Sequence, residues 1–165
     1  MMTLRRRVES RLTYLWRVEL IGALVWSLLV WLWWDRARLG MGTLAGLGLV
    51  VFILMQGSLY WYLKLRVVRR RRLLSKPTCV RLFKVLRTVN QIMLAISGGY
   101  YLVRTSGTIG SDLKVGIIFW VLAVLEYVNY FHRQLLYDST TEMRHVLRNR
   151  KLKISSLARD MAAKL

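Results

Sequence analysis

Four long apolar windows, separated by strongly basic segments, constrain this chain more than any other feature of its sequence. Each window is roughly 16–21 residues long, close to the ~20 residues with which an α-helix crosses the ~30 Å hydrocarbon core of a bilayer. β-Strands rarely exceed ten residues, so these lengths favour helices. We therefore predict four transmembrane helices, over residues 18–34, 43–63, 88–103 and 115–131.

The overall charge is consistent with this prediction only if the apolar residues lie in the membrane-spanning segments and the basic residues lie in the connections and termini. The chain has 27 Lys and Arg against 8 Asp and Glu, yet 55% of its residues are hydrophobic. A nucleic-acid-binding protein or a disordered tail of this charge is normally poor in large apolar residues. The sequence thus predicts an all-α polytopic membrane protein. Residues 1–137 form the four-helix transmembrane domain, and residues 138–165 form a basic amphipathic cytoplasmic helix.

The distribution of Lys and Arg predicts the orientation. Five precede the first window, ten lie between residues 64 and 87, eight follow residue 131, and only four lie in the two remaining connections. The positive-inside rule then places both termini and the middle segment in the cytoplasm, with the chain in the cell (plasma) membrane. No small-residue cleavage site follows the first window, so we interpret it as a retained signal anchor.

Helical extensions are expected on the cytoplasmic side. The second helix has no breaker as far as Leu74, and Pro77 is suited to the first turn of the next helix. Near the C-terminus, Ser139 and Glu142 have the spacing of a capping box, which predicts a helix start near Thr140. The Ser155-Ser156 pair interrupts or re-caps that helix.

Glu126 is the most unusual polar residue, because a carboxylate inside a transmembrane segment costs several kcal/mol unless it is protonated or paired. Asn129 follows at i+3 and shares its face. One interpretation is a proton or cation site, or an anchor for a partner helix. The other is a protonated or hydrogen-bonded side chain that joins the helices of the bundle.

Several other polar residues fall in the cytoplasmic halves of their helices. They form, with Glu126 and Asn129, a predicted intramembrane polar cluster that also contains Glu19, Gln56, Asn90 and Gln91. One hypothesis is a cytoplasm-facing vestibule for an anionic headgroup or small ligand, with Lys84, Arg87 and Arg133 at its mouth. The alternative is a set of ordinary interface positions near the headgroups, where polar groups cost little.

Small residues at four-residue spacing indicate close helix packing. Gly42 and Gly46 open the second window, and Ala95 and Gly99 lie in the third. Such pairs allow two helix backbones to approach closely. The pattern is equally consistent with contacts inside one chain and with a dimer interface.

The basic cytoplasmic surface predicts contacts with anionic lipid headgroups or an acidic partner protein. The residues assigned to these contacts are Arg69, Arg70, Arg71, Arg72, Lys84, Arg87 and Arg133. Nucleic acid is disfavoured because no aromatic residues alternate with these cations as a stacking platform.

No catalytic grouping is apparent in the sequence, and no cofactor or metal is predicted. Cys79 is the only cysteine, and the two histidines are far apart in the chain. We therefore favour a small non-enzymatic membrane protein that acts through helix–helix assembly, as a homo-oligomer or an auxiliary subunit. The alternatives are an oligomeric proton or cation channel or transporter using Glu126, and an inner-leaflet lipid-binding protein or lipid enzyme.

Overall fold

A computed structural model describes residues 2–36, 38–70, 73–105, 110–133 and 153–162 of the chain. This part is all-helical and contains no strand, which confirms the predicted all-α class. A single backbone bridge joins Arg133 to Ile154. The helices are α1 (Met2–Trp33), α2 (Met41–Val68), α3 (Lys76–Arg104), α4 (Ser111–Phe131) and α5 (Ser156–Ala162).

Two of these helices, α1 and α2, are long and apolar enough to cross a membrane. Their environments differ: 61% of the most apolar window of α2 is buried inside the protein, against 11% of that of α1. α2 is therefore the central helix, and α1 is a peripheral helix that exposes most of its apolar surface. Its outward side chains include Ile21, Leu24, Leu28 and Trp31.

Helices that follow one another in the chain run in opposite directions, whereas α2 and α4 run in the same direction. The start of α2 lies beside the end of α3, where the Tyr101 hydroxyl donates to the Gly42 carbonyl at 2.7 Å. The other end of α2 lies beside the start of α3, where the rings of Tyr60 and Phe83 are 5.7 Å apart. α1 runs against α2 as well, since the Ser58 hydroxyl donates to the Trp16 carbonyl at 3.0 Å.

The first turn of α2 is capped by a side chain from α4. Gly40, at the N-cap position, has no side chain with which to accept a hydrogen bond, so the amides of the first turn need another acceptor. The Asp112 carboxylate accepts from the amides of Gly40, Gly42 and Thr43 at 2.7, 2.9 and 2.8 Å. Partial burial acts to raise the pKa of Asp112, but these hydrogen bonds outweigh it and hold the pKa below its usual value.

The predicted glycine pair of α2 packs inside the chain, against α4. A side chain at Gly46 would overlap the carbonyl of Gly116, and one at Gly116 would overlap the carbonyl of Gly42. The two backbones thus approach each other with no side chain between them. Gly42 and Gly46 therefore pack against another helix of the same chain and are not available for a dimer interface.

The observed bounds differ from the predicted ones in the segments predicted to be cytoplasmic. α1 begins at Met2, so the basic N-terminal segment is part of the first helix. The prediction that the second helix continues to Leu74 is wrong: α2 ends at Val68, and Arg70 takes a left-handed conformation with φ 58°. That conformation turns the chain toward α3, which starts at Lys76 with Pro77 in its first turn and the Ser75 side chain accepting from the Thr78 amide at 3.3 Å. The predicted start of α3 near Pro77 is confirmed.

Part of the predicted C-terminal helix, including Ser139, Thr140 and Glu142, lies outside the described residues. The described residues exclude one unbroken helix over residues 138–165, because residues 153–155 are not helical. Ser155 instead caps α5, its hydroxyl accepting from the Ala158 amide at 3.1 Å. The predicted re-capping at Ser155-Ser156 is confirmed.

The contact between α2 and α4 can be tested with Gly46→Ala. The added methyl group would overlap the Gly116 carbonyl and lie 2.9 Å from the Phe119 Cβ. We expect the free energy of unfolding to fall by about 1–3 kcal/mol, as for other overpacked sites, measured as a lower unfolding midpoint in detergent. Gly48→Ala is the matched control, because nothing lies within 4 Å of its Cβ position. Equal effects of the two substitutions would contradict the close contact.

Candidate functional site at the α5 end of the bundle

Three side chains hold α5 against α2 at one end of the bundle, and they are here called the α5 clasp. The Tyr60 hydroxyl donates to Asp160 Oδ2 at 2.6 Å, and Lys64 Nζ donates to the same oxygen at 2.9 Å. Lys64 Nζ also donates to the Tyr60 hydroxyl oxygen at 2.8 Å. Partial burial acts to raise the pKa of Asp160, but the hydrogen bonds from Tyr60 and Lys64 outweigh it and keep the pKa below its usual value.

Contacts to the end of α4 fix the other side of α5. The Ser155 hydroxyl donates to the Tyr130 carbonyl, and the Ser155 amide donates to the His132 carbonyl at 3.2 Å. Leu157, in the first turn of α5, is 4% exposed and belongs to the hydrophobic core. A seven-residue helix is too short to be stable alone, so these contacts are what position α5.

A cavity of about 430 Å³, here called the rim cavity, lies where α5 meets α1, α2 and the end of α4. Its walls are partly apolar, from side chains such as Leu12, Leu15, Val18 and Leu157. Its charged and amide-bearing lining residues are Arg11, Glu19, Lys64, Asn129, Lys153 and Arg159. A second, more apolar cleft of about 350 Å³ lies on the other side of α5, between α2 and α3.

Two members of the predicted polar cluster form a reciprocal pair. Gln56 Nε2 donates to Asn90 Oδ1 at 3.0 Å, and Asn90 Nδ2 donates to Gln56 Oε1 at 2.8 Å. Gln56 is 6% exposed and Asn90 is fully buried. Each amide therefore satisfies the other, and the pair joins α2 to α3 rather than lining an open vestibule.

The other members of the cluster are dispersed. Glu126 is half-buried and accepts from Asn129 Nδ2 at 3.4 Å, while Glu19 and Asn129 line the rim cavity. Gln91 is exposed on the outer face of α3. The structure thus divides the predicted cluster into an internal amide pair, a cavity wall and an outward-facing amide.

The predicted basic contact residues also separate. Lys84 and Arg133 are exposed, and Arg87 is half-buried near His132, where burial and the Arg87 charge both lower the pKa of the imidazole. Arg69 Nε lies 3.7 Å from Glu9 Oε2 at the start of α1, and Arg70 forms the turn after α2. Arg71 and Arg72 lie outside the described residues.

Sequence reasoning missed the α5 clasp and most of the rim cavity. No local pattern in the sequence links Tyr60 to Asp160, because the two residues are 100 positions apart. The four-residue spacing of Tyr60 and Lys64 was a usable signal, since it places both side chains on one helix face. Among the described residues, no group of His, Cys, Asp and Glu is arranged to hold a metal ion.

The Gln56–Asn90 pair can be tested with a double-mutant cycle. Gln56→Leu and Asn90→Leu should each lower the free energy of unfolding by about 1–3 kcal/mol, because each leaves a buried amide without its partner. The double substitution should cost clearly less than the sum of the two, since it removes both polar groups. Gln91→Leu is the control, and it should change the free energy of unfolding little because Gln91 is exposed. If the cost of the double substitution equals the sum of the two single costs, Gln56 and Asn90 do not interact as described.

Comparison with known proteins does not identify a family for this chain. No protein-family model, no curated protein and no solved structure matches it. The function has to be inferred from the residues and contacts described above.

Proposed function

We propose that this chain is a small, non-enzymatic integral membrane protein with four transmembrane helices, which works by assembling with a second copy of itself. Two observations support the four-helix topology. α3 packs antiparallel to α2, and α4 packs along α2 in the same direction, so all four helices share one bundle. In the sequence, the Lys and Arg residues concentrate before the first apolar window, between the second and the third, and after the fourth, which favours a cytoplasmic location for these segments.

The topology can be tested by cysteine accessibility in a Cys79→Ser background. Cysteines at Arg38 and Gly110, in the two short connections, should react with a membrane-impermeant maleimide in intact cells. Cysteines at Ser75 and Lys153 should react only after the membrane is permeabilised. Labelling of Ser75→Cys in intact cells would overturn the orientation.

Gln91 is the observation that carries the assembly proposal. It lies 13 residues before the end of α3 at Arg104, or roughly 20 Å along the helix axis, which is within a ~30 Å hydrocarbon core. Its side chain is exposed, unlike that of the neighbouring Asn90. An amide facing acyl chains finds no hydrogen-bond partner in lipid, so its exposure favours a protein partner on this face.

The surface around Gln91 suits a second α3 helix. Ala95 and Gly99 follow at four-residue intervals, and both are exposed. Among the described residues, no atom lies within 4 Å of a Cβ added at Gly99. Ile92 and Ile96, which are 54% and 69% exposed, lie along one side of this stripe. Small residues allow close backbone approach, and the apolar neighbours supply packing beside them.

A second copy is the partner that we favour because an amide is self-complementary. Each Gln side chain carries both a donor NH₂ and an acceptor oxygen. Two Gln91 side chains related by a two-fold axis can therefore satisfy each other, as Gln56 and Asn90 do inside the chain. A two-fold contact requires only one surface patch, which both copies supply.

Gly99→Leu tests the proposed interface. The Cβ position of residue 99 faces open space among the described residues, whereas a leucine there would separate two helices packed at this position. We expect at least a ten-fold loss of self-association, measured by energy transfer between donor-labelled and acceptor-labelled protein in liposomes. Gly48→Leu is the matched control, because position 48 also faces open space but lies on α2. Gln91→Leu should weaken association by a smaller factor.

Three outcomes would overturn the proposal. A wild-type protein that is monomeric in liposomes excludes homo-assembly. Equal effects of Gly99→Leu and Gly48→Leu would show that the interface lies elsewhere. Proton or cation flux through liposomes that Glu126→Gln abolishes, in protein of normal stability, would favour the channel or transporter hypothesis over a purely assembling role.

A further inference from the structure

The rim cavity combines a positive charge excess with an apolar wall. Among the described residues, Arg11 from α1, Lys153 and Arg159 from the C-terminal segment and Lys64 from α2 line it, together with the carboxylate of Glu19. Lys64 also donates to Asp160 at 2.9 Å. Arg11 is distant in sequence from Lys153 and Arg159, and the docking of α5 brings these cations to one cavity.

The depth of the cavity corresponds to the inner headgroup layer. Trp61 and Lys64 follow the start of α2 at Met41 by 20 and 23 residues, or roughly 30–35 Å at 1.5 Å per residue. That distance is about the thickness of the hydrocarbon core. Tyr14 and Trp61 in the lining are the residue types that concentrate at this level of a bilayer.

We propose that the rim cavity binds a phosphate-bearing anionic group, presented by the headgroup of an inner-leaflet phospholipid. The guanidinium groups of Arg11 and Arg159 provide paired N–H donors of the geometry that phosphate oxygens accept. Leu12, Leu15 and Val18 form the apolar side of the cavity on α1, the peripheral helix of the bundle. These side chains suit the glycerol and first methylene groups of a lipid, which a free phosphate ion lacks.

This binding site differs from general attraction between a basic protein and an anionic membrane. Exposed cations elsewhere on the cytoplasmic side, such as Arg7 on α1 and Arg81 on α3, contribute to the same surface charge but do not line the cavity. A site-specific contribution therefore predicts unequal effects of removing equal numbers of charges. The site is also separate from the exposed Ala95–Gly99 stripe of α3, so it does not depend on self-association.

The test compares two double variants that each remove two positive charges from the full chain. Arg11→Gln with Arg159→Gln removes cations from the cavity, and Arg7→Gln with Arg81→Gln is the matched control. The probe is phosphatidic acid, titrated into nanodiscs of phosphatidylcholine, with bound lipid counted by native mass spectrometry. We expect the cavity variant to lose at least ten-fold in lipid retention and the control to change less than two-fold.

Two further measurements separate loss of lipid binding from loss of folding and test the contribution of charge. Melting temperatures in phosphatidylcholine alone should be similar for the wild type and both double variants, which separates loss of binding from loss of fold. Arg11→Lys with Arg159→Lys should bind more lipid than the Gln variant but less than the wild type, because the charge is kept while the paired donors are lost. If that variant binds no better than the Gln variant while folding normally, the charge-based account of the site is wrong.

The source of the phosphate group is tested with inorganic phosphate at millimolar concentration. We expect it to leave phosphatidic acid bound, because it makes no contact with the apolar wall. Displacement of the lipid by inorganic phosphate would overturn the lipid assignment in favour of a soluble anion. Equal loss of lipid from the cavity variant and the control variant would overturn the site itself and leave only general surface attraction.

Discussion

The direct backbone contact between α2 and α4 is the constraint on which the rest of the bundle depends. Gly46 and Gly116 leave no side chain between the two helices, so α4 comes close enough for its Asp112 carboxylate to cap the first turn of α2. The Tyr101 hydroxyl then reaches the Gly42 carbonyl from α3. A cap, a glycine contact and a tyrosine hydrogen bond thus fix the same end of three helices.

This arrangement places α2 at the centre and determines which polar groups are internal. Gln56 faces α3 and pairs with Asn90, which satisfies both amides in the interior. Gln91 follows Asn90 by one position, which rotates it by about 100° around the helix, and its amide is exposed. Two adjacent residues of the same chemical type therefore have different roles, one in the fold and one in the proposed assembly.

The opposite end of the bundle is held by contacts between residues about 100 positions apart in the sequence. α5 is too short to form alone and depends on Asp160, Ser155 and Leu157 for its position. Its docking places Arg159 and Lys153 opposite α1 and so completes the rim cavity. The C-terminal segment is in this sense part of the proposed lipid site, and loss of the α5 clasp should remove cations from it.

The sequence by itself determined the all-helical class, because long apolar windows with a single proline have few other ways to satisfy their backbone hydrogen bonds. It also determined the Lys and Arg asymmetry, the start of α3 near Pro77 and the re-capping at Ser155-Ser156, since these depend on composition or on neighbouring residues. Only the tertiary structure decided that Gly42 and Gly46 pack internally while Ala95 and Gly99 face outward, that Gln56 pairs with Asn90, and that Asp160 meets Tyr60. Each of these outcomes depends on how a helix is rotated about its axis against its neighbours. An almost uniformly apolar helix carries little periodicity to specify that rotation, so it is set by close packing between residues far apart in the chain.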